Sequence, residues 1–388
     1  MQYPTISEYV KASQDASDNL DMSTEATNAE FNEVITDEFG VKYSKERRKL
    51  LKAPRKLNGT YSIRKGTKII CDMAFYECSS LNSVIIPDGI TSIGDGAFSA
   101  CSSLTDIVIP DSVTSIGESA FENCTSLKSL VIPDNVVNIK GNPFSGWDGE
   151  LKCSSPYFIY DNKVLFNKDK SKIIAFRDKN TTSYVIPDYV TSIGNGAFYD
   201  CKSLKSLVIP ESVTCIGDYA FSECSSLTDV VLPDGVTSIG DWAFRGCESL
   251  RSLIIPDSVT SIGTWAFMGC SSLSSLVIRA TGASIVDRAF KGCISLCCIA
   301  IHAKIVIPDG VTSIGDDALR GCTSLTDIVI PDGVTSIGNR AFRGCTSLSS
   351  LVIPDSVTSI GESAFGGCNI PNALKQELIS RFGEKIFG

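Results

Sequence analysis

Histidine most often supplies the base of a catalytic site, and this chain contains a single one, His302. A serine or cysteine nucleophile needs such a positioned base. Cys297 and Cys298 lie close to His302 in the sequence, so the three side chains could bind a metal ion. A structural zinc site, however, has four ligands at tighter spacing than this region offers. We therefore expect no enzyme and no cofactor, and keep a metal ion at this position as an alternative.

Carboxylates are a second set of residues that could bind a ligand. Ten of them follow a proline or its equivalent. They are Asp88, Asp111, Asp134, Asp188, Glu211, Asp234, Asp257, Asp309, Asp332 and Asp355. Oxygen ligands in a column could collect calcium ions. Each of these residues also suits a tight turn by itself. We interpret them as turn residues and keep calcium binding as the alternative.

The acidic residues recur because the sequence repeats itself every 23 residues. The stretch from Pro233 to Ile255 shows the unit, whose apolar residues are spread along its whole length and can be buried only between neighbouring copies. An Ala-Phe dipeptide marks most copies, and we use its second residue, which is leucine in one copy, as the marker. The twelve markers are Phe75, Phe98, Phe121, Phe144, Phe198, Phe221, Phe244, Phe267, Phe290, Leu319, Phe342 and Phe365. This pattern predicts an elongated solenoid.

Each unit contains two predicted strands and a predicted helical segment. In the second copy, Leu104, Ile107 and Ile109 alternate as a half-buried strand does, and Val113–Ile116 forms a second extended piece. Residues Glu118 to Cys124 fit a short helix with Ala120, Phe121 and Cys124 buried. Eleven of the sixteen cysteines share the slot of Cys124, which predicts a column of buried, reduced thiols.

Two further segments resemble each other at a shift of 123 residues, Val41–Leu51 and Val164–Ile174. We predict that both form the same module, a β-hairpin or a three-stranded meander, with polar turns at Ser44–Arg48 and Asn167–Ser171. The first is rich in lysine and arginine. We interpret these charges as a solvated turn, and nucleic-acid or anionic-membrane binding is the alternative.

The predicted domain organisation places these modules in order. An acidic N-terminal segment, 1–30, contains a short helix over 6–14 and precedes a hairpin cap, 31–63. A repeat block follows at 64–150, then an inserted hairpin at 151–186 and a second repeat block at 187–368. Residues 369–388 form an amphipathic capping helix with Leu374, Leu378 and Phe382 on one side. A membrane or partner helix is the alternative for this last segment.

Composition narrows the class of partner. A formal charge of −9 and a pI near 4.9 argue against a nucleic-acid binder, which normally presents a basic face. No run of 18 apolar residues occurs, so we expect no membrane insertion. We recognise no secretory signal in the N-terminal residues. We expect a monomer, because a solenoid grows by stacking its own repeats.

Two surface rows are candidate ligand-binding sites. Position two before the marker aromatic, here called the variable slot, varies most among the copies and holds Tyr219, Trp242, Trp265 and Arg288 in four successive ones. A repeat needs only a small or polar residue there, as at Gly96, Ser119, Gly196 and Ser363. Aromatic and arginine side chains are enriched at interface hot spots. Arg245 and Met268 flank this set. The second row lies on the outward face of the first strands, where it is either a binding face or simple β-propensity, and its candidates are Val208, Val231, Ile254 and Val277.

The motif Ile-Pro-Asp-x-Val-Thr-Ser-Ile-Gly-x-x-Ala-Phe-x-x-Cys-x-Ser-Leu resembles the BspA-like leucine-rich repeats over about residues 60 to 368. The resemblance implies an α/β solenoid, a right-handed leucine-rich-repeat superhelix with a parallel β-sheet. It also implies a cell-surface or secreted protein of bacteria or some protozoa, which binds host matrix or cell-surface proteins. We therefore expect a non-enzymatic protein-binding or adhesion scaffold. An intracellular scaffold or regulatory module in the cytoplasm is the alternative.

Overall fold

The computed structural model describes residues 23–278, 288–293, 305–306 and 311–388, with 305–306 described by their backbone alone. These residues coil into a solenoid whose turns each contribute two short strands to parallel sheets, as the repeat predicted. The first strands are β4 Asn58–Ser62, β6 Ser80–Ile85, β8 Asp106–Ile107, β10 Ser129–Ile132, β12 Glu150–Cys153, β16 Ser183–Val185, β18 Ser206–Val208, β20 Asp229–Val230, β22 Ser252–Ile255, β24 Ser275–Ile278, β25 Ile305–Val306, β27 Asp327–Val329 and β29 Ser350–Val352.

The second strand of each turn is a two-residue Ser-Ile or similar pair, with the isoleucine buried. These strands are β5 Ile69–Ile70, β7 Ser92–Ile93, β9 Ser115–Ile116, β11 Asn138–Ile139, β17 Ser192–Ile193, β19 Cys215–Ile216, β21 Ser238–Ile239, β23 Ser261–Ile262, β26 Ser313–Ile314, β28 Ser336–Ile337 and β30 Ser359–Ile360.

Two antiparallel three-stranded meanders, here called the first and second hairpin, begin the two main stacks and confirm the prediction from the internal match. The first consists of β1 Ile35–Thr36, β2 Lys42–Tyr43 and β3 Lys49–Lys52, and the second of β13 Phe158–Asp161, β14 Val164–Asn167 and β15 Lys172–Phe176. Strand β3 pairs in parallel with β5, and β15 pairs in parallel with β17. Each hairpin therefore supplies the first rung on which the repeats stack. We call the turns from Phe75 to Phe144 the first block and those from Phe198 to Phe365 the second block.

The helical segment predicted for each unit is wrong: Glu118 to Cys124 is a succession of turns. Some of its backbone bonds run between turns of the solenoid, such as Phe98 N–H to the Ala120 carbonyl at 2.8 Å, and others are local, such as Glu122 N–H to the Ser119 carbonyl at 3.0 Å. Two residues are left-handed, Ser119 with φ 55° and Asn123 with φ 54°. Hydrogen bonds to the neighbouring turn replace the i to i−4 bonds of a helix, which is why the apolar spacing was misleading.

The core is built from columns of identical side chains. Phe75 stacks on Phe98 with ring centroids 5.1 Å apart, and the Phe244–Phe267 pair repeats this at 5.3 Å. The thiols of the cysteine column are buried hydrogen-bond donors: Cys101 Sγ lies 3.1 Å from the Phe75 carbonyl oxygen. Burial raises the pKa of the Cys124 thiol to about 12. The cysteines of the column are free thiols, as predicted, and all but the half-buried Cys368 are buried.

Short helical elements lie near both ends of the described chain. Helix α1, Asn28–Asn32, begins at a capping box of Thr27 and Glu30, whereas the helix predicted over 6–14 lies outside the described residues. Helix α2, Asn372–Phe382, buries Leu378 against the last turn, with Leu374 and Phe382 half-buried beside it.

A 3₁₀ helix, Glu384–Ile386, follows α2 and completes the cap. The Lys385 carbonyl accepts the Ser363 N–H, and Phe387 packs on Phe365 at 6.2 Å. Lys385 and Phe387 thus make the contacts with Ser363 and Phe365 that a following turn makes elsewhere in the solenoid. None of the helices in the described ranges is long and apolar enough to cross a membrane.

Candidate binding surface

Residues in the variable slot have a left-handed backbone conformation, although most of them are not glycine. Tyr219, Trp242 and Trp265 have φ of 55°, 59° and 57°, which places all three in the left-handed region. Ser119 and Ser363, in the same slot of other turns, have φ of 55° and 54°. The solenoid therefore imposes one backbone geometry on this column, whatever its side chain.

This geometry stacks the side chains of consecutive turns. The rings of Tyr219 and Trp242 lie 5.8 Å apart with an interplanar angle of 7°, and those of Trp242 and Trp265 lie 4.4 Å apart at 25°. Tyr219 is exposed, and the two tryptophans are half-buried by one another. The residues predicted as a contact patch thus form one continuous aromatic row, with Arg288 at its end.

Two arginines pack against rings of the aromatic row. The Arg245 guanidinium lies 5.2 Å from the Trp242 ring centroid and 2.7 Å from the Glu223 carboxylate. The Arg288 guanidinium lies 5.0 Å from the Trp265 ring and 3.4 Å from Asp317. Met268 occupies the same position of its turn as Arg245 and is half-buried. These cation–π contacts fix the rings on the outside of the solenoid.

Bulky residues in a left-handed conformation carry a cost. An L-residue there loses about 1–2 kcal/mol relative to the right-handed region. Each aromatic stack returns about 0.5–1.5 kcal/mol. Ser119, Asp317 and Arg340 have the same left-handed φ, so this cost is common to the column and does not by itself explain the two tryptophans.

The second predicted row lies on a different part of each turn. Val208, Val231 and Ile254 project outward from β18 to β22 and are exposed by 52%, 77% and 44%, whereas Val277 on β24 is half-buried. The aromatic row follows the second strands instead. The aromatic row and the strand face are therefore two separate surfaces. On the strand face, the apolar side chains are interrupted by serine and aspartate residues.

The repeat geometry agrees with a match to known proteins. A family model described as a BspA type leucine rich repeat region matches six copies, over residues 57–153, 172–297 and 298–388. The chain belongs to this family. No curated protein matches it.

Solved structures include relatives of this BspA-type chain. A leucine-rich repeat protein from Eubacterium ventriosum ATCC 27560 is 26% identical, with 82% of this chain and 85% of that chain covered and a TM-score of 0.58. A leucine-rich repeat protein from Bacteroides ovatus ATCC 8483 is 28% identical, with 91% and 97% covered and a TM-score of 0.37. A leucine rich cell surface protein from Faecalibacterium prausnitzii A2-165 is 29% identical, with 80% and 74% covered and a TM-score of 0.43.

Metal ligation was the remaining chemical alternative for this BspA-type chain. Within the part of the chain that the structure describes, no group of three or more histidine, cysteine, aspartate or glutamate side chains is placed to hold a metal ion. The candidate ligands Cys297, Cys298 and His302 lie outside the described residues, as does Asp309 of the acidic column.

Sequence reasoning overlooked one part of the surface. In the first block the variable slot holds Met73, Gly96, Ser119 and Asn142, and a cavity lies beside the first three. The signal was present in the shift of 123 residues, which aligns Gly96 with Tyr219 and Ser119 with Trp242. The same positions therefore form a depression in one block and an aromatic row in the other.

Proposed function

We propose that this protein is a non-enzymatic adhesion scaffold that binds a protein ligand, such as a host matrix or cell-surface protein, through the aromatic row. The observation that supports this is the stacking of Tyr219, Trp242 and Trp265 on the outside of the solenoid, in a slot that holds glycine or serine in four other turns. Aromatic anchors of this kind supply most of the free energy at protein interfaces. The leucine-rich-repeat fold is generally non-catalytic, which agrees with a binding role.

The proposal is tested with serine substitutions, because serine is native to the slot at Ser119 and Ser363. The double variant Trp242→Ser with Trp265→Ser should lose capture of ligand from host matrix extracts by at least about tenfold. A matched control, Val231→Ser with Ile254→Ser, alters the exposed strand face of the same turns. Loss of capture by the control alone would move the site to that face, and equal capture by all three proteins would refute the aromatic row.

The rival is an intracellular scaffold or regulatory module. It is favoured by the cysteine column, whose thiols are free, since cysteine-rich extracellular proteins usually form disulfides. Protease shaving of intact producing cells separates the two. Adhesion requires that the protein be cleaved from the outside, and recovery only in the cytosolic fraction would leave the intracellular role.

A further inference from the structure

A cavity of about 500 Å³ lies on the same column as the aromatic row, at the first turns of the solenoid and the junction with the second block. The small slot residues Gly96, Ser119 and Gly196 line it, and so do the rings of Tyr199 and Tyr219. A concave site with aromatic lining and a few polar groups is the usual form of a ligand pocket.

Tyr219 joins this cavity to the aromatic row. Its ring stacks on Trp242, the next slot residue, at 5.8 Å and 7°. The preceding slot residue is Gly196, which has no side chain to stack on, and Tyr219 lines the cavity at that point. A ligand seated in the cavity therefore meets the end of the stacked rings.

The charged residues that line the cavity are all acidic: Asp72, Asp95, Glu118 and Glu122. The first two have structural roles, because Asp72 accepts the Asp95 N–H at 2.7 Å and Asp95 accepts the Glu118 N–H at 3.0 Å. Asp95 also lies 3.7 Å from Lys140. Glu118 and Glu122 also line the cavity, and their hydrogen-bond donors are neutral side chains, such as Ser99 at 3.4 Å from Glu122.

The surroundings of these two glutamates disfavour negative charge. Burial, together with the nearby charges of Asp95, Asp218 and Glu122, raises the pKa of Glu118, although a hydrogen bond with Asn195 opposes this. Burial and Asp200 raise the pKa of Glu122, opposed by hydrogen bonds with Ser119 and Ser99. A cation in the cavity would relieve this repulsion.

The second block contains a model of the contact that such a cation would make. The shift of 123 residues aligns Glu122 with Arg245. The Arg245 guanidinium lies over the Trp242 ring and pairs with Glu223 at 2.7 Å. Arg245 thus shows that this chain can hold a guanidinium between a ring and a carboxylate. The cavity presents rings, such as those of Tyr199 and Tyr219, and carboxylates, with no arginine among its lining residues.

We propose that the cavity binds an arginine side chain of the protein ligand, whose guanidinium pairs with Glu118 and Glu122 and packs on Tyr199 and Tyr219. Arginine fits better than lysine, because its planar group stacks on aromatic faces and forms two parallel bonds to carboxylates. This inference rests on the proposed protein-binding function and assigns the chemistry of the residue recognised.

The test uses the full chain and a small probe, N-acetyl-arginine N-methylamide, followed by calorimetry at low salt. The matched probe replaces arginine with citrulline, which has nearly the same shape without the charge. We expect the citrulline compound to bind at least about tenfold more weakly, as a lost charge-assisted pair would give. Equal binding of both probes, or binding of neither, would overturn the proposal.

Variants locate the site. Glu118→Gln with Glu122→Gln should weaken the arginine probe by about tenfold, whereas Asp234→Asn with Asp257→Asn removes the same charge at exposed turns and should change binding less than about twofold. Equal loss in both variants would mean that net charge alone attracts the probe.

The variant Ser119→Trp fills the cavity with the residue that the equivalent slot holds as Trp242, so its backbone accepts the change. It should abolish probe binding while the protein stays folded by circular dichroism, and undiminished binding would exclude the cavity. If only the cavity assignment fails, the Trp242→Ser and Trp265→Ser variant still loses capture of the protein ligand, which separates this inference from the proposed function.

Discussion

The two blocks place different side chains at equivalent positions of the same solenoid. At the shift of 123 residues, Gly96, Ser119 and Ser145 of the first block correspond to Tyr219, Trp242 and Met268 of the second. The first set lines a cavity, and two members of the second set stack as an aromatic row. Because backbone and core are shared, the difference shows that the variable slot changes the surface without changing the fold.

The hairpins that begin the blocks differ in a complementary way. Leu51 of the first hairpin packs in a small cluster with Ile69 and Cys71. Its equivalent in the second hairpin, Ile174, belongs to the main core of the preceding block, together with Leu165. Other residues of the second hairpin, such as Ile173, face the core of their own block. The inserted hairpin therefore buries both faces and joins the two cores.

The prediction with the largest expected effect tests whether the second hairpin couples the cores of the two blocks. Ile174→Asp places a carboxylate in the core of the first block and should lower the free energy of unfolding by at least about 4 kcal/mol. Leu51→Asp should cost roughly half as much, since its cluster with Ile69 and Cys71 contains far fewer apolar side chains than the core around Ile174. Trp147 lies in the first block and Trp242 with Trp265 in the second. Urea unfolding is therefore followed by fluorescence in two backgrounds, one with Trp147→Phe and one with Trp242→Phe and Trp265→Phe, so that each reports on a single block.

The fluorescence traces decide whether the second hairpin couples the blocks. Ile174→Asp should separate their transitions, and Leu51→Asp should leave the transition of the second block unchanged. A single transition in Ile174→Asp, at the same midpoint for both blocks, would contradict a coupling role.

A second prediction concerns Arg177, whose equivalent in the first hairpin is Pro54. The Arg177 guanidinium lies 4.1 Å from the Trp147 ring centroid and donates to the Gly149 carbonyl at 2.8 Å, which ties the second hairpin to the first block. Burial lowers the pKa of this side chain to about 10. Arg177→Met should destabilise the junction by about 2–3 kcal/mol in thermal or chemical unfolding.

The control for Arg177 is Lys163→Met, which removes an exposed ion pair with Asp178 at 3.1 Å. It should change stability by less than about 0.5 kcal/mol. If the two variants were equally stable, the contacts of Arg177 would not stabilise the junction between the second hairpin and the first block.

A third prediction concerns a polar network that only the first hairpin contains. The Tyr43 and Tyr61 hydroxyls lie 2.6 Å apart, and Tyr61 donates to Asp37 at 2.6 Å. The second hairpin has Phe166 in place of Tyr43. Tyr43→Phe should therefore cost about 1 kcal/mol. The reciprocal Phe166→Tyr buries a new hydroxyl and should not stabilise; a gain in melting temperature from either change would refute this account.

The smallest effect concerns the cavity glutamates. Their raised pKa values mean that their contribution to stability is fully present below the ordinary glutamate pKa and is lost as the pH rises through the raised values. Glu118→Gln with Glu122→Gln should thus be more stable than the parent near pH 7, by less than about 1 kcal/mol. The melting-temperature difference should shrink towards pH 4.5, and a difference independent of pH would contradict it.

Much of the fold could be predicted because spacing alone determines it. The interval between Phe75 and Phe98 recurs, and residues one interval apart stack in the structure. The helical segment at Glu118 to Cys124 could not be predicted correctly, because its hydrogen bonds go to another turn of the chain. The candidate row at Tyr219 and Trp242 was visible as a departure from the repeat, and its binding role stays a prediction.

The sequence by itself determined the solenoid, the cysteine and phenylalanine columns, the two hairpins and the capping helix, since each follows from a period or an internal match. Only the tertiary structure decided that the variable slot is left-handed, that its aromatic residues stack, and that small residues in the first block leave a cavity among Glu118, Glu122 and Tyr219. The physical reason is that these features arise between turns, where residues 23 positions apart become neighbours.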